Sequence, residues 1–415
     1  MLTICYRECL YEKKILCKFA SCFMDEYTYA MQYNFDEIID RRGTDALKID
    51  AVPNIWGRED LLPLWVADMD FATPPFVIEV LRRRLDHEIL GYTMRTPQWA
   101  SSIVAWQQSR YGWTIQPEWL NFVPGIVPGI AFVISCFTEP GDAILIQPPV
   151  YHPYIHVPQN LGRTLRRNRL DLVDGQYQID FERFEQDVRG CKLFLLCHPH
   201  NPGGRVWTAE ELRRIAEICH REGVIVVSDE IHADLTLPPY HHVPFASVSA
   251  EAAECSITLM SPSKAFNMAG LTSSYSIISD EALRERFHQH LEHSELNLGH
   301  VFAFNSVAAA YSHGTEWLDQ MLSYVQGNID YIEQYLAGEL PQVGMIRPQA
   351  SYLVFLDFRK LGLSQAELNT LIVDKARLAL NDGAMFEGEG FMRLNAASPR
   401  SIIEEAMRRL ASAFE

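Results

Sequence analysis

Short runs of apolar residues recur through the middle of the chain, separated by turn residues or by helical patterns. Continuous apolar runs of this length predict strands buried on both faces, as in a mostly parallel sheet covered by helices. The sequence therefore predicts an α/β fold in which such a sheet lies between helices. The runs are "AILIQ" (143–147), "KLFLLC" (192–197), "VIVVS" (224–228), "SITLM" (256–260) and "SYSII" (274–278).

A helix between two of these runs is well marked. In "TAEELRRIAEICHREG" (208–223), Thr208 and Glu211 have the spacing of a capping box, and Gly223 suits the C-terminal stop. The apolar stripe that repeats with helical spacing consists of Leu212, Ile215, Ile218 and Cys219. Further along, the sequence predicts two strands and a last helix, at "SYLVFLDF" (351–358), at "FMRLN" (391–395) and from Ser401 onward.

Polar and special residues follow these strands at the points where each strand ends. Each has an ordinary explanation, such as a turn, a packed ring, a loop or a helix cap. Because ligands of parallel sheets bind beyond the carboxyl ends of the strands, their joint position predicts a binding site. The residues are Gly125, Ile126 and Val127, which open an apolar helix, then Tyr151, Asn201, Asp229, His232 and Lys264.

Lys264 lies in an unusual setting. In "TLMSPSKAFNMAG" (258–270) it follows an apolar run and small residues, with no other charge nearby. An apolar surround favours the neutral amine, which is the nucleophilic form. The alternative is a lysine whose stem covers apolar surface while its amine reaches water.

Composition narrows the choice of partners. The chain has 415 residues, which predicts more than one domain, and 48% hydrophobic residues. Its formal net charge of −17 argues against nucleic acid or an anionic membrane as partner, because both require a basic face. We find no uncharged apolar run of about 18 residues, so the sequence predicts no membrane-spanning helix.

The nine cysteines favour a reducing, cytoplasmic compartment. Five of them lie in apolar segments and read as small core residues, at Cys136, Cys191, Cys197, Cys219 and Cys255. The other four lie in residues 1–30, at Cys5, Cys9, Cys17 and Cys22. Their spacing matches no zinc pattern, so we expect no metal site. Residues 1–30 lack the pattern of a signal peptide, and we expect a poorly ordered extension.

Several longer motifs occur together over residues 31–415. They resemble the fold-type I pyridoxal-phosphate enzymes of the class I/II aminotransferase superfamily. Within it they are similar to the cystathionine β-lyase branch, the carbon–sulfur lyases of the MalY/PatB type. Their number and order make the resemblance specific. The motifs are "LPLWVADMDF", "PPVYHPY", "HPHNPGGRVW", "SDEIHADL", "SPSKAFNMAGL" and "LNDGAMFEGEGFMRLN".

The resemblance implies roles for the residues at the strand ends. Lys264 would bind pyridoxal phosphate covalently and then remove the Cα proton of the substrate. Asp229 would pair with the pyridine nitrogen, Asn201 would donate to the phenolate oxygen, and the Tyr151 ring would stack on the cofactor. These roles make Lys264, Asp229 and Tyr151 the expected catalytic residues.

The resemblance also implies a phosphate site and a shared dimer. An anion fits a helix N-terminus, where the N–H groups are free and the dipole is favourable. Tyr92 would reach the phosphate of a partner subunit, so the expected assembly is a homodimer with shared sites. The other expected phosphate ligands are Gly125, Ile126, Val127, Ser261 and Ser263.

Arg393 resembles the arginine that grips the substrate α-carboxylate in a bidentate fork, with Tyr151 and Asn201 beside the substrate. Two positions differ from the pattern of many relatives. His232 occupies a place where aminotransferases carry tyrosine and this branch commonly carries histidine, which supports a lyase. Thr272 stands where many relatives have arginine or glutamine, so phosphate binding would depend more on backbone N–H groups and hydroxyls.

The family organisation implies a large cofactor domain at residues 72–313. A smaller α+β domain would comprise residues 31–71 and 314–415.

Three functions remain open at this stage. The first is β-elimination from cystathionine or a cysteine S-conjugate, which gives a thiol, pyruvate and ammonia. The second is transamination, which uses the same cofactor contacts. The third is a regulatory role through protein contact, for which no sequence feature speaks. The sequence does not identify the sulfur amino acid.

Overall fold

The computed structural model describes residues 31–414, so the predicted extension and its four cysteines lie outside the described residues. Residues 31–34 contain no helix or strand. The rest of the described residues, from Phe35 onward, forms one compact unit. Its division into a large and a small domain stays a prediction.

A seven-stranded sheet organises the larger part of this unit. Its strand order is β2-β10-β9-β8-β7-β3-β4, and every neighbouring pair is parallel except those that involve β10. A four-stranded antiparallel sheet has the order β11-β12-β15-β14. The strands are β1 (Leu62–Pro63), β2 (Leu120–Val123), β3 (Ala143–Ile146), β4 (Thr164–Arg167), β5 (Asp171–Val173), β6 (Gln176–Gln178), β7 (Cys191–Cys197), β8 (Ile225–Asp229), β9 (Ser256–Met260), β10 (Ser274–Ile277), β11 (Gly344–Ile346), β12 (Leu353–Asp357), β13 (Leu378–Ala379), β14 (Asn381–Asp382) and β15 (Phe391–Asn395).

Helices separate most of these strands, as the apolar pattern predicts. The helix Ala209–Glu222 begins after a capping box between Thr208 and Glu211 and ends at Gly223, which is left-handed, so that prediction is confirmed. The α-helices of the described residues are Leu47–Asp50, Val52–Trp56, Pro75–Leu85, Pro97–Tyr111, Ile126–Phe137, Pro153–Asn160, Phe181–Val188, Ala209–Glu222, Ala250–Glu254, Glu281–His293, Val301–His313, Thr315–Glu339, Gln365–Thr370 and Arg400–Ser412.

The five predicted apolar strands are all present, and the mostly parallel α/β fold is confirmed. Strand β10 departs from the parallel pattern, since it runs antiparallel to both β2 and β9. The reason lies in its connection. Residues 261–273 contain a short 3₁₀ turn at Ala269–Leu271 but no α-helix, and an α-helix is the usual crossover between parallel strands.

Both faces of the large sheet are buried. On β7, Leu193 and Leu195 pack with helix Ile126–Phe137 on one face. Phe194 and Leu196 pack on the opposite face with the helix that begins at Ala209. This alternation explains why residues 193–197 of β7 are all apolar, because successive side chains point to opposite covered faces.

The four-stranded sheet brings the C-terminal motif close to the large sheet. Its strand β15 pairs with β12, and Arg393 lies opposite Phe355. Side chains from both sheets share one core, since Phe355 and Phe391 pack in the same cluster as Phe194. The predicted strands at 351–358 and 391–395 and the last helix are thus confirmed.

None of the helices in residues 31–414 is both long and apolar enough to cross a membrane. The same residues contain no group of three or more histidine, cysteine or acidic side chains arranged to hold a metal ion. The five described cysteines are free, and all except Cys136 are buried.

Candidate active site

A cavity of about 420 Å³ opens at the carboxyl ends of the large sheet. Asp229 at the end of β8 and the residues that follow β2, β3, β7 and β9 meet there, as the strand-end argument predicts. Ten of the twelve predicted site residues line this cavity, and Ser261 and Tyr92 do not. The ten are Gly125, Ile126, Val127, Tyr151, Asn201, Asp229, His232, Ser263, Lys264 and Arg393.

Lys264 follows β9 and directs its amine into the cavity. Its Nζ donates to the carbonyl of Ala67 at 2.6 Å. Burial lowers the pKa of the amine to about 8, the Arg393 guanidinium adds to that effect, and the Asp68 carboxylate opposes it. A substantial fraction of the amine is therefore neutral near pH 8, in the form that can attack a carbonyl carbon or accept a proton.

Asp229 is buried at the end of β8. Its Oδ2 accepts from the Tyr154 hydroxyl at 2.9 Å, and its Oδ1 accepts from the Ile231 N–H at 3.1 Å. Burial raises the pKa of this carboxyl to about 6, although the two hydrogen bonds act to lower it. Tyr154 was not predicted as a site residue. Its only sequence signal is its place in "PPVYHPY", three residues after Tyr151.

Arg393 is buried, and its hydrogen bonds go to neutral acceptors. Its Nη1 donates to Asn201 Oδ1 at 3.0 Å, and its Nη2 donates to Asn381 Oδ1 at 2.7 Å and to the Trp65 carbonyl at 3.3 Å. Its Nε has no partner in the described residues, and the guanidinium lies 4.7 Å from the centre of the Phe386 ring. Burial lowers its pKa to about 10.

A buried guanidinium without a carboxylate counter-ion favours an incoming anion, because desolvation has already weakened its interaction with water. None of the described acidic side chains forms an ion pair with Arg393. Asn381, which helps to hold the guanidinium, was not predicted as a site residue, and its only sequence signal is its place in "LNDGAMFEGEGFMRLN".

Asn201 has a fixed orientation in this network. Since an arginine can only donate, the amide atom that faces Arg393 is the oxygen. The Nδ2 group of Asn201 is therefore left to donate into the cavity. This arrangement agrees with the predicted donation to a phenolate oxygen.

Tyr151 and His232 line the cavity between these groups. Burial raises the pKa of the Tyr151 phenol, so the ring is neutral and can stack. Burial, with the cations Lys264 and Arg393, lowers the pKa of His232 to about 3. His232 is thus a neutral imidazole at pH 7, and its buried Nδ1 has no described partner.

The N-terminus of helix Ile126–Phe137 forms one end of the cavity. Its first turn contains no acidic residue, and the N–H groups of Ile126 and Val127 have no acceptor within the helix. Gly125 precedes them in extended conformation. Free N–H groups and the positive end of the helix dipole together suit a phosphate.

Hydroxyl groups lie around the same end. Ser263 and Ser273 line the cavity, and the buried Ser273 hydroxyl, which was not predicted, has no described partner. Ser261 lies behind them, where its hydroxyl donates to the Ser273 carbonyl at 3.5 Å and accepts from the Ser263 N–H at 3.2 Å. Thr272 also lines the cavity, with its Oγ1 2.8 Å from Nε2 of His300.

These features fit pyridoxal phosphate. A helix N-terminus with free donors suits its phosphate, a buried carboxyl suits its ring nitrogen, and a lysine with a lowered pKa suits its aldehyde. The unpartnered donors in the cavity wall are the observation that supports the fit most directly.

Known proteins share this architecture. The family model for class I and II aminotransferases matches residues 59–410. The chain is 43% identical to cystathionine beta-lyase PatB of Bacillus subtilis (strain 168), over 92% of this chain and 100% of that protein. Crystallised cystalysin from Treponema denticola, which contains pyridoxal phosphate, matches with a TM-score of 0.90 at 33% identity, over 92% and 99% of the two chains. A pyridoxal-phosphate-bound C-S lyase from Staphylococcus hominis matches with a TM-score of 0.86 at 33% identity, over 93% and 99%.

The lowered pKa of Lys264 gives a prediction for cofactor capture. When apoprotein is mixed with pyridoxal phosphate and trapped with borohydride, peptide mapping should place the phosphopyridoxyl group on Lys264. The initial rate of labelling should rise with pH through about 8, because the amine becomes neutral above its pKa. The exposed Lys192 reports non-specific labelling. Equal labelling of both lysines would contradict the assignment.

Arg393 gives a second prediction. Arg393→Ala should raise KM for amino-acid substrates by the equivalent of about 2–5 kcal/mol, since a desolvated carboxylate would lose its partner. The KM of Arg393→Lys should lie between the KM of the unchanged protein and that of Arg393→Ala, because lysine keeps the charge but loses the planar fork. Arg359→Ala is the control, since that arginine is exposed and pairs with Asp357. Unchanged KM in a folded Arg393→Ala protein would remove the carboxylate assignment.

Proposed function

The chain belongs to the class I and II aminotransferase family, and from that premise we propose that it is a pyridoxal-phosphate-dependent carbon–sulfur β-lyase. Its substrates are cystathionine or cysteine S-conjugates, and its products are a thiol, pyruvate and ammonia. The relatives at 43% and 33% identity are named as a cystathionine beta-lyase and a C-S lyase, and these names support the choice of reaction.

One observation about the site supports this proposal most strongly. The amine of Lys264, the carboxyl of Asp229 and the guanidinium of Arg393 line one cavity, and none of them forms an ion pair with a described residue. Buried ionisable groups are normally paired, so three groups kept apart in one cavity indicate partners that arrive with ligands.

The cofactor has a place in this site. When bound, pyridoxal phosphate supplies an electron-withdrawing ring that stabilises negative charge at the substrate Cα. The N–H groups of Ile126 and Val127 would hold its phosphate, and Asp229 would hold its ring nitrogen in the protonated state. Asn201 would donate to its phenolate oxygen through Nδ2, and Tyr151 would cover its ring face.

The residues of the chain would bind the substrate and transfer its Cα proton. Arg393 binds the α-carboxylate and thereby orients the amino acid. Lys264, as a neutral amine, takes the Cα proton, and the carbonyl of Ala67 can accept a hydrogen bond from the resulting ammonium. His232 stays neutral beside them, so it adds no competing positive charge.

The atoms and charges of the proposed elimination balance. The Cα proton passes to Lys264, and the Cβ–S bond breaks with its electron pair going to sulfur as thiolate. The three-carbon enamine that remains gains a proton and reacts with one water to give pyruvate and ammonia. No second amino acceptor is consumed, which separates this reaction from transamination.

The second part of the proposal is a homodimer with shared sites. Tyr92 is fully exposed and lies outside the cavity of its own subunit, as expected of a residue that serves a neighbour. The segment around it exposes other apolar side chains, which supports burial against a second copy. A cytoplasmic location is also proposed, supported by the five free cysteines of the described residues.

Product stoichiometry tests the reaction. With S-alkyl-L-cysteines and no keto acid, thiol, pyruvate and ammonia should accumulate in equal amounts, because elimination needs no co-substrate. Lys264→Ala should lose turnover by several orders of magnitude, since it removes both the covalent anchor and the base. If amino transfer to a keto acid outruns thiol release with every sulfur amino acid, the protein is an aminotransferase instead.

Subunit mixing tests the shared site. Tyr92→Phe subunits mixed with Lys264→Ala subunits would place both changes in one site and leave the other site intact. The mixture should therefore be more active than either parent variant. Mixing two batches of the same variant is the control for any gain of activity caused by mixing alone. No recovery despite proven exchange would show that Tyr92 acts within its own subunit or not at all.

A further inference from the structure

Part of the cavity wall has no role in the chemistry proposed above. We call it the thiol wall and define it as Leu47, Trp65, Val66 and His152, all of which line the cavity. The wall lies beside the carboxylate-binding group, since the Trp65 carbonyl accepts from Arg393 and His152 packs 5.9 Å from the Phe386 ring that stacks on Arg393. It is therefore placed to contact the side chain of a bound amino acid.

The thiol wall presents apolar surface. The one polar atom of the Trp65 side chain, Nε1, already donates to the Lys48 carbonyl at 3.0 Å, and the edge-on contact with Trp56 fixes the ring. Leu47 is 61% exposed at the cavity mouth, and Val66 is partly buried. Contact with Leu47, Trp65 and Val66 favours an apolar group, and His152 contributes only a neutral imidazole, whose buried Nδ1 has no described partner.

The described residues supply no free charge at the thiol wall. Burial lowers the pKa of His152 to about 4, with Arg393 and His156 adding to the effect, so its imidazole is neutral at pH 7. Lys48 follows Leu47 in the chain, but it is buried and its Nζ is 2.7 Å from Asp70 Oδ2. The charged groups that do line the cavity are Asp229, Lys264 and Arg393, which the reaction already uses.

We infer that the thiol wall binds an uncharged, apolar leaving group, so that the enzyme prefers S-alkyl- or S-aryl-L-cysteines to L-cystathionine. This inference rests on the proposed function. The homocysteine part of cystathionine carries an ammonium and a carboxylate, and both would lie against the wall without a charged partner. The S-propyl group keeps the three carbons nearest the sulfur, lacks the ammonium and the carboxylate, and loses nothing on burial.

The segment around Tyr92, which would reach the site of the neighbouring subunit, also favours an apolar leaving group. Residues 89–94, "ILGYTM", contain no charged side chain. Ile89 is 70% exposed and Met94 is 77% exposed, and they flank the fully exposed Tyr92. A second copy that brings this segment to the cavity would add apolar surface and a phenol rather than an ionic partner for cystathionine.

A matched substrate pair tests the inference in the holoenzyme. The value of kcat/KM for S-propyl-L-cysteine should exceed that for L-cystathionine by about tenfold or more. Binding of the same pair to the Lys264→Ala protein with bound pyridoxal phosphate, followed by absorbance, should show the same order of dissociation constants. Equal or tighter binding and equal or faster cleavage of cystathionine would overturn the inference. Failure to cleave either compound would refute the lyase proposal, and the binding titration would still decide the preference.

A charge placed at the wall tests its location. Leu47→Arg should shift the ratio of kcat/KM values toward cystathionine by about two- to fivefold, since the exposed side chain can pair with the distal carboxylate. Leu363→Arg is the matched control, because Leu363 is also exposed and lies outside the cavity lining. The same shift in both variants, or no shift in Leu47→Arg, would show that the leaving group does not lie against this wall.

Discussion

The hydrogen bond from Lys264 Nζ to the Ala67 carbonyl joins positions 197 residues apart and depends on a backbone segment held from several directions. The Tyr352 hydroxyl donates to the same carbonyl at 3.0 Å, and Asn395 Nδ2 donates to the carbonyls of Val66 and Asp68. Asn267, three residues after Lys264, bonds both the N–H and the carbonyl of Met69. An acceptor fixed in this way gives the amine one defined position, which a proton transfer requires.

The same segment links Lys264, the proposed base, to Arg393, the proposed carboxylate-binding group. Its Trp65 carbonyl accepts from Arg393, and Arg393 and Asn395 project from the same face of β15, because alternate residues of a strand share a face. Strand β15 therefore carries both Arg393 and Asn395, and Asn395 holds the backbone on either side of the Ala67 carbonyl. A disturbance of β15 would act on binding and on proton transfer together.

Burial affects both ionisable groups of the site. It lowers the pKa of Lys264 and raises the pKa of Asp229, so both values move toward neutrality.

The sequence predicted the sheet and most of the site because both depend on local patterns. Apolar runs identify doubly covered strands, and the residues after them fall at one rim, so Asn201 and Lys264 could be found by position alone. Tyr154 and Asn381 were missed because their importance comes from partners elsewhere in the chain, Asp229 and Arg393. Ser273 was missed because only the fold brings it to the cavity. Ser261 has the right residue type but lies one layer behind the cavity. The antiparallel direction of β10 does not follow from its residue pattern, and its one local signal is the lack of an α-helix between β9 and β10.

The groups around the cofactor position do not by themselves choose between elimination and transamination, because Asp229, Asn201 and Tyr151 would serve either reaction. The choice depends on how the proton and the sulfur group are held after the Cα proton has left. In the proposed reaction Lys264, which donates to the Ala67 carbonyl, would hold that proton, and the thiol wall would contact the sulfur substituent without a competing ionic contact. Departure of a thiolate then needs no further partner, whereas amino transfer needs the proton delivered to the cofactor and a keto acid admitted afterwards. The geometry of the proton acceptor and of the wall therefore bears on the reaction more than the cofactor contacts do.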